Sequence, residues 1–158
     1  MSRHERYGSR SLVYSKWHRF YCGDAEPMID LDAVEYCHQK GCFKPLVLIE
    51  TARDIGQASK STYVLKQLAT QSGVLALCVL YRIGQGVDEE HGCKCRDGDT
   101  VPDCDHGIER FRVRRVWPLW DKPGRQPWKL MTPAEYHDRL IATRMDHIAT
   151  EHLAWEVS

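Results

Sequence analysis

The sequence predicts an α/β domain with a central mixed β-sheet flanked by helices, and three observations favour this class. Two apolar runs, residues 45–51 and 73–83, have the continuous hydrophobicity of strands that are covered on both faces. A helical pattern at 59–72 lies between them, and alternating strands and helices are typical of α/β domains. The chain has 158 residues and is 42% hydrophobic, which favours a single globular domain over 1–158.

The N-terminal elements follow from the spacing of apolar residues. Residues 10–20 place apolar side chains at helical intervals, which predicts an amphipathic helix. Residues 28–37 alternate in polarity and place two aspartates on one face, as a strand does. A turn over 41–44 is expected to join this strand to the apolar strand 45–51.

The central helix at 59–72 has a defined end and a defined buried face. Gly73 supplies the helix stop, because glycine readily adopts the left-handed conformation of a C-terminal cap. Val64, Leu65 and Leu68 are expected to form the buried stripe of this helix.

The C-terminal part is predicted to contain a loop insertion, a strand, a connector and a helix. Residues 84–107 are a Cys/His-rich loop, 109–118 alternate like a strand, and 118–131 form an irregular, proline-rich connector. Thr132 begins a capping box, because a Pro follows it and a Glu lies three residues after it. The buried stripe of this last helix is expected to contain Tyr136, Leu140, Met145 and Ile148.

Charge and cysteine content restrict the class of protein. Lys plus Arg equals Asp plus Glu at 22 each, so a nucleic-acid role requires a local basic patch. No apolar run approaches the roughly 20 residues of a membrane span, and residues 1–10 have no apolar signal core. We therefore expect a cytoplasmic protein with no membrane partner. Seven cysteines without a secretion signal favour reduced thiols or metal ligands over disulfides.

Three acids lie on consecutive predicted strands. Asp30 and Asp32 share one face of the first strand, and Glu50 ends the buried run of the next. An acid in that position is costly unless it is paired, protonated or bound to a metal. Converging carboxylates are ligands for Mg²⁺ (or Mn²⁺), which can hold a phosphodiester and activate water. The alternative is that Asp30 and Asp32 are solvent-facing residues of an edge strand and that Glu50 forms an ordinary ion pair with Arg53, Lys44 or Arg19.

Short motifs carry a resemblance to a known family. WHR at 17–19, DLDAVEY at 30–36 and LIE at 48–50 resemble phage and bacterial members of the PD-(D/E)XK nuclease-like superfamily. The resemblance covers roughly residues 10–82. It implies a restriction-endonuclease-like fold and metal-dependent hydrolysis of phosphodiester bonds in DNA.

One position departs from the family pattern. The family usually has a Lys two residues after the Glu, where this chain has Ala52. In some members the lysine function has moved to the following helix, and Lys60 lies at the start of that helix here. The alternative is a catalytically inactive scaffold that binds nucleic acid or a host protein. The residues that the resemblance implies for catalysis are Asp30, Asp32, Glu50 and Lys60.

A basic segment is the candidate nucleic-acid contact. Arg112, Arg114 and Arg115 lie in a basic stretch, residues 109–129, that also carries tryptophans, which suits phosphates and exposed bases. His18 and Arg19 on the first predicted helix are candidates to face a phosphate near the acids, and the alternative for these two is an ordinary pair of surface side chains. The alternative is a solvated basic face with tryptophans in the core. DNA is the expected partner, and a host protein or a second copy of the chain is left open.

The Cys/His-rich loop predicts a structural zinc site. Three cysteines and a histidine of suitable chemistry lie close together in sequence: Cys93, Cys95, Cys104 and His106, with His91 as the alternative histidine. Zinc takes four such ligands in a tetrahedron and would order a loop that has little apolar content. The alternative is a flexible loop of reduced cysteines.

A smaller group lies at the turn between the acid-bearing strands. Cys37, His38 and Cys42 are one ligand short of a zinc site, so they are predicted to be packing residues, with Cys22 as an available fourth ligand. Cys78, inside an apolar strand, is predicted to be part of the core.

Overall fold

A computed structural model gives the structure of residues 31–39, 41–84, 107–119 and 127–152. All of these residues belong to one compact unit. The elements in chain order are β1 (Ala33–Tyr36), β2 (Pro45–Arg53), α1 (Tyr63–Ser72), β3 (Leu75–Ile83), β4 (Ile108–Trp117), β5 (Lys129–Met131) and α2 (Pro133–Glu151). The predicted helix 10–20 and most of the predicted loop 84–107 lie outside the described residues, and the single domain over 1–158 stays a prediction.

The five strands form one mixed sheet in the order β1-β2-β3-β4-β5. Strands β2 and β3 are parallel and are joined through α1, whereas the other three neighbouring pairs are antiparallel. Glu50 lies beside Cys78 on β3, and Cys78 lies beside Arg114 on β4. The prediction of an α/β domain with a central mixed sheet and flanking helices is confirmed.

The sheet is buried on both faces, and β3 is its centre. Residues 76–80 of β3 are all buried, as expected of a strand with neighbours on both sides and helices on both faces. One core cluster, against α1, contains Leu48, Leu65, Ala69, Val74, Ala76, Cys78 and Val116. The other, against α2, contains Val47, Ile49, Leu77, Val79, Val113 and Met131. The prediction that Cys78 is core is confirmed.

Helix α1 ends as predicted but buries a narrower face. Gly73 adopts φ +69° and its amide donates to the carbonyl of Ala69 at 2.8 Å, which is a left-handed cap. The buried residues of α1 are Leu65 and Ala69, whereas Val64 and Leu68 are exposed. The predicted stripe was therefore wrong at Val64 and Leu68; the two buried positions, Leu65 and Ala69, lie about one helical turn apart on the face that packs on the sheet.

Strand β5 corrects the prediction of an irregular connector over 118–131. Residues Lys129–Met131 pair antiparallel with β4, opposite Phe111–Val113. Only Met131 of these three is buried, in the core cluster against α2. A three-residue edge strand with two exposed positions carries little periodicity, and its pairing partner lies far away in sequence.

Helix α2 begins with the predicted capping box. Thr132 Oγ1 accepts a hydrogen bond from the Glu135 amide at 3.2 Å, and Glu135 accepts one from the Thr132 amide at 2.8 Å. Tyr136 and Leu140 pack against the sheet, as predicted. Met145 is exposed, so the predicted stripe was wrong there. A residue five positions beyond Leu140 is rotated well away from its face at 3.6 residues per turn.

Candidate functional site

Glu50 lies in the interior of β2, which continues to Arg53 rather than ending at the acid. Its side chain is only 16% exposed. Across the sheet the next residues in register are Cys78 and then Arg114, so a carboxylate, a thiol and a guanidinium form one row on the α1 side. Burial raises the pKa of the Cys78 thiol, and the negative charge of Glu50 adds to this effect while Arg114 and Lys60 oppose it.

Lys60 is the cation that contacts Glu50. Its Nζ lies 2.6 Å from Glu50 Oε1, and it also donates a hydrogen bond to the carbonyl of Thr51. Lys60 belongs to the segment 54–62 between β2 and α1, ten residues after Glu50. The chain therefore returns to β2 and places Lys60 beside Glu50. In the PD-(D/E)XK pattern, the lysine lies two residues after the Glu.

Asp32 lies one residue before β1 and contacts Thr51, the residue that follows Glu50 on β2. Ala33, the first residue of β1, pairs with Ile49. Asp32 Oδ2 accepts hydrogen bonds from the amide of Thr51 at 2.7 Å and from its hydroxyl at 3.0 Å. These bonds fix one oxygen of an otherwise exposed carboxylate at the edge of the row. Asp30, the third predicted acid, lies outside the described residues.

One oxygen of Glu50 has no partner among the described residues. Glu50 Oε2 is buried and accepts no hydrogen bond within the described part of the chain, whereas Oε1 contacts Lys60. A buried carboxylate oxygen without a donor is costly, and a bound cation is one way to satisfy it. Glu50 thus offers one carboxylate oxygen to a hard divalent ion, and Asp32, which contacts the neighbouring residue Thr51, offers a second carboxylate.

Two of the three predicted arginines hold the segment that carries Lys60. Arg112 Nη1 lies 2.9 Å from Asp54 Oδ1, and its Nη2 donates to the carbonyl of Gln57 at 3.2 Å. Arg114 is only 8% exposed, and its Nη2 lies 3.5 Å from the carbonyl of Lys60. The guanidinium groups of Arg112 and Arg114 are thus engaged in contacts within the protein.

Trp128 extends this support. The guanidinium carbons of Arg112 and Arg114 lie 5.0 and 4.6 Å from the centre of its ring, within the range of cation–π interaction. Its indole Nε1 donates to the carbonyl of Ala58 at 3.0 Å. Trp128, which was predicted to pack in the core, therefore also contacts the segment before Lys60 directly.

Arg115 has a different environment from Arg112 and Arg114. It pairs in register with Leu77, which belongs to the core cluster against α2, so its side chain is on the opposite face of the sheet. Burial, together with the charge of Arg139 on α2, holds the pKa of Arg115 below its ordinary value. His18 and Arg19, the other predicted phosphate contacts, lie outside the described residues.

An open groove of about 460 Å³ begins beside Lys60. It runs along the start of α1 and the end of β4, and its lining is rich in hydroxyl and cationic side chains. The lining residues are Ser59, Lys60, Ser61, Thr62, Tyr63, Lys66, Arg114, Arg115, Val116 and Leu119. Such a surface offers hydrogen-bond donors and positive charge to an anionic ligand.

A second constellation lies at the far end of α2. Cys37 follows β1, Cys42 lies in the β1–β2 turn, and His147 and His152 lie in the last turns of α2 and at its cap. One ligand atom from each of the four lies within 4.8 Å of all the others. This Cys₂His₂ cluster could bind a metal ion such as zinc.

The cluster adds partners that were not predicted for the turn cysteines. Cys37 and Cys42 were expected to be packing residues one ligand short of a site, with Cys22 as the reserve. Cys37 is buried, and His147 and His152 are two further candidate ligands, whereas His38 is exposed and is not part of the group. The predicted zinc loop of Cys93, Cys95, Cys104 and His106 lies outside the described residues.

The sequence contained a signal for this cluster. Four residues separate Cys37 from Cys42, and four separate His147 from His152, within the usual spacing of zinc ligand pairs. The two pairs are more than a hundred residues apart in the chain, so only the antiparallel turn and the length of α2 bring them together.

In comparisons with protein-family models, curated proteins and solved structures, nothing matches this chain. Among the described residues, no helix has both the length and the apolar character needed to cross a membrane.

Proposed function

We propose that this chain is a metal-dependent nuclease with a PD-(D/E)XK-like site, built from Asp32, Glu50 and Lys60. The observation that carries the proposal is the 2.6 Å contact between Lys60 Nζ and Glu50 Oε1. It supplies an acid from β2 and a lysine from the segment 54–62 in direct contact, although position 52 is an alanine. The mixed sheet with parallel β2 and β3 joined through α1 is consistent with a restriction-endonuclease-like arrangement.

Mg²⁺ or Mn²⁺ would be held by Asp32 and by the unpartnered Oε2 of Glu50. When bound, such an ion stabilises charge on a phosphodiester and lowers the pKa of a coordinated water. Asp32 is oriented for this role because two hydrogen bonds from Thr51 fix its carboxylate.

Lys60 would supply a positively charged donor to the scissile phosphate or to the attacking water. A preorganised donor aimed at developing charge is a large contribution to catalysis in a partly buried site. Arg114 and Trp128 support its position by contacting the main chain of Lys60 and Ala58. Arg112 and Asp54 support the preceding turn.

The groove beside Lys60 is the proposed path of the DNA backbone. Lys66 on α1 and the hydroxyls of Ser59, Ser61 and Thr62 line it, and they would contact phosphate oxygens. Arg112 and Arg114 are engaged in internal contacts, so their proposed role is to support the Lys60 segment. Their positive charge would also attract DNA.

The test is cleavage of supercoiled plasmid and of single-stranded DNA with Mg²⁺ or Mn²⁺. We expect cleavage by the wild-type chain, none with a chelator, and loss to background in Glu50→Gln and Asp32→Asn. Glu109→Gln is the matched control, because Glu109 is a half-exposed acid of β4 whose ion pair with Arg82 is on the surface. Undiminished cleavage by Glu50→Gln would show that these acids are not the site.

A second candidate is an inactive scaffold that binds nucleic acid or a host protein. The observation that favours it is the same ion pair, since Lys60 neutralises Glu50 without a metal, and position 52 has no lysine. Absence of cleavage on every DNA substrate, combined with salt-dependent DNA binding that Lys66→Gln weakens, would favour this candidate.

A further inference from the structure

We propose that Cys37, Cys42, His147 and His152 bind a structural zinc ion that attaches the C-terminal end of α2 to the β1–β2 turn. This site is separate from Glu50 and Lys60, which lie on the α1 side of the sheet. The inference therefore does not depend on the proposed nuclease function.

The distances in the cluster match a tetrahedral ion. The Sγ of Cys37 lies 3.5 Å from Nε2 of His152, and the Sγ of Cys42 lies 3.4 Å from Nε2 of His147. Zinc bonds of about 2.3 Å to sulfur and about 2.0–2.1 Å to nitrogen, at the tetrahedral angle, separate sulfur from nitrogen by about 3.5 Å. The two measured separations are thus those of two edges of a zinc coordination tetrahedron.

The chemistry of the ligands favours zinc over harder ions. Two thiolates with two imidazoles form a closed set of four, which is typical of structural zinc sites and leaves no open position for catalysis. Cys37 is fully buried and both cysteines are free thiols in this structure. A hard ion such as Mg²⁺ would require oxygen ligands that the cluster does not contain.

A carboxylate lies beyond the histidine ring on the side away from the ligand atoms. His147 Nδ1 lies 3.8 Å from Glu151 Oε1, and the same carboxylate pairs with Lys44 of the β1–β2 turn. A metal-bound histidine commonly presents its second nitrogen to a carboxylate, which fixes the ring orientation. With Nε2 of His147 on the ion, its protonated Nδ1 would face Glu151.

Helix α2 is held weakly toward its C-terminal end by the described residues. None of its 19 residues is fully buried, and its contacts with the core cluster come from Tyr136 and Leu140 in its first half. Its second half contacts β1 and the β1–β2 turn through the Arg144–Glu35 and Lys44–Glu151 pairs and through the Cys/His cluster. Partly exposed ion pairs contribute little, so an ion shared by both elements would dominate the stability of this end.

The test begins with the zinc content of the purified full-length chain, measured by mass spectrometry of the metal. We expect the double variant Cys37→Ser/Cys42→Ser and the single variant His147→Asn to lose one equivalent of zinc per chain. His137→Asn is the matched control on the same helix, because His137 is exposed and is not in the cluster, and it should retain that equivalent.

The predicted zinc loop requires its own control. A triple variant with Cys93, Cys95 and Cys104 replaced by Ser should retain the equivalent bound by the cluster. In that background, Co²⁺ added to the metal-free chain should produce tetrahedral d–d bands with thiolate-to-cobalt charge transfer. Loss of all zinc from the triple variant would overturn the proposal, as would a cobalt spectrum without thiolate bands or a disulfide between Cys37 and Cys42.

A conservative replacement separates metal binding from a general folding defect. His147→Cys keeps four ligands, so it should retain zinc and should increase the thiolate-to-cobalt charge transfer by about half, from two thiolates to three. A His147→Cys variant that loses zinc as completely as His147→Asn while remaining folded would contradict coordination by residue 147.

Discussion

Replacement of Arg112 by Met tests whether the buried ion pair with Asp54 holds the segment before Lys60. The change keeps the length and apolar character of the stem and removes the guanidinium that contacts Asp54 and Gln57. Asp54 then stays in place with the amide of Gly56 as its main remaining donor among the described contacts. The carboxylate is therefore buried without its cation.

The expected magnitude follows from the burial of the pair. The side chain of Asp54 is 4% exposed and that of Arg112 is 17% exposed, so solvent screens the pair only weakly. Removing one partner of a buried pair costs about 3 kcal/mol or more, and we take about 2–3 kcal/mol because Arg112 is not fully enclosed. The cation–π contact with Trp128 is lost at the same time and is part of this figure.

The assay is urea unfolding followed by circular dichroism, with the free energy of unfolding compared at pH 7. Arg82→Met is the matched control, because Arg82 and Glu109 are 3.5 Å apart and each side chain is 49% exposed. A surface pair of this kind contributes about 0–1 kcal/mol. If Arg112→Met changed the free energy of unfolding no more than Arg82→Met does, the supporting role of this pair would be refuted.

The pH dependence gives a second check on the same pair. Burial acts to raise the pKa of Asp54, but hydrogen bonds from Gly56 and Arg112 and the charges of Arg112 and Arg110 outweigh it and leave the pKa below its ordinary value. A depressed pKa contributes stability that is present above the unfolded value of about 3.9 and is lost as the pH falls through the folded value. The difference between wild type and Arg112→Met should therefore shrink below about pH 4.

Three further predictions follow from other contacts. Thr132→Ala should lower the free energy of unfolding by about 1 kcal/mol by removing the capping box of α2, whereas Thr143→Ala on the same helix should change it little. Burial and the charge of Glu35 raise the pKa of Tyr136 to about 12. The contribution of this shift to stability is complete below about pH 10 and is lost as the pH rises toward 12. In an absorbance titration of the phenols, Tyr136→Phe should remove a transition near pH 12. A zinc chelator should lower the melting temperature of the wild-type chain, and should have no effect through the cluster in Cys37→Ser/Cys42→Ser.

The main strands were predictable because their residues are buried locally and continuously. β2 and β3 are long apolar runs, and glycine at 73 fixes the end of α1 through its backbone conformation. β5 was not predictable, because three residues with two exposed positions give no period, and only pairing with Phe111–Val113 makes them a strand. The hydrophobic pattern therefore predicted the strands that are continuously buried, and it failed for β5, which is a strand only because it pairs with residues distant in the sequence.

The candidate sites divide in the same way. The pairing of the first two strands could be predicted from alternation and from the turn near Gly41, and it brings Asp32, one residue before β1, into contact with Thr51 beside Glu50. The contact of Lys60 with Glu50 required a specific path of the segment 54–62, which internal arginine contacts fix and no local pattern encodes. The Cys/His cluster depends on the length and direction of α2, which bring two ligand pairs together from opposite ends of the chain.

The proposed function depends on Lys60 acting as the lysine of the nuclease site, and relocation of that lysine to position 52 tests the proposal most directly. The measurement is the single-turnover rate of plasmid cleavage in Lys60→Gln and in Lys60→Gln/Ala52→Lys, with Lys129→Gln as a control for an exposed lysine on β5. Our account predicts a loss on the order of 100-fold in Lys60→Gln, substantial recovery in the double variant and no change in the control. A Lys60→Gln variant that cleaves DNA at the wild-type rate would contradict it.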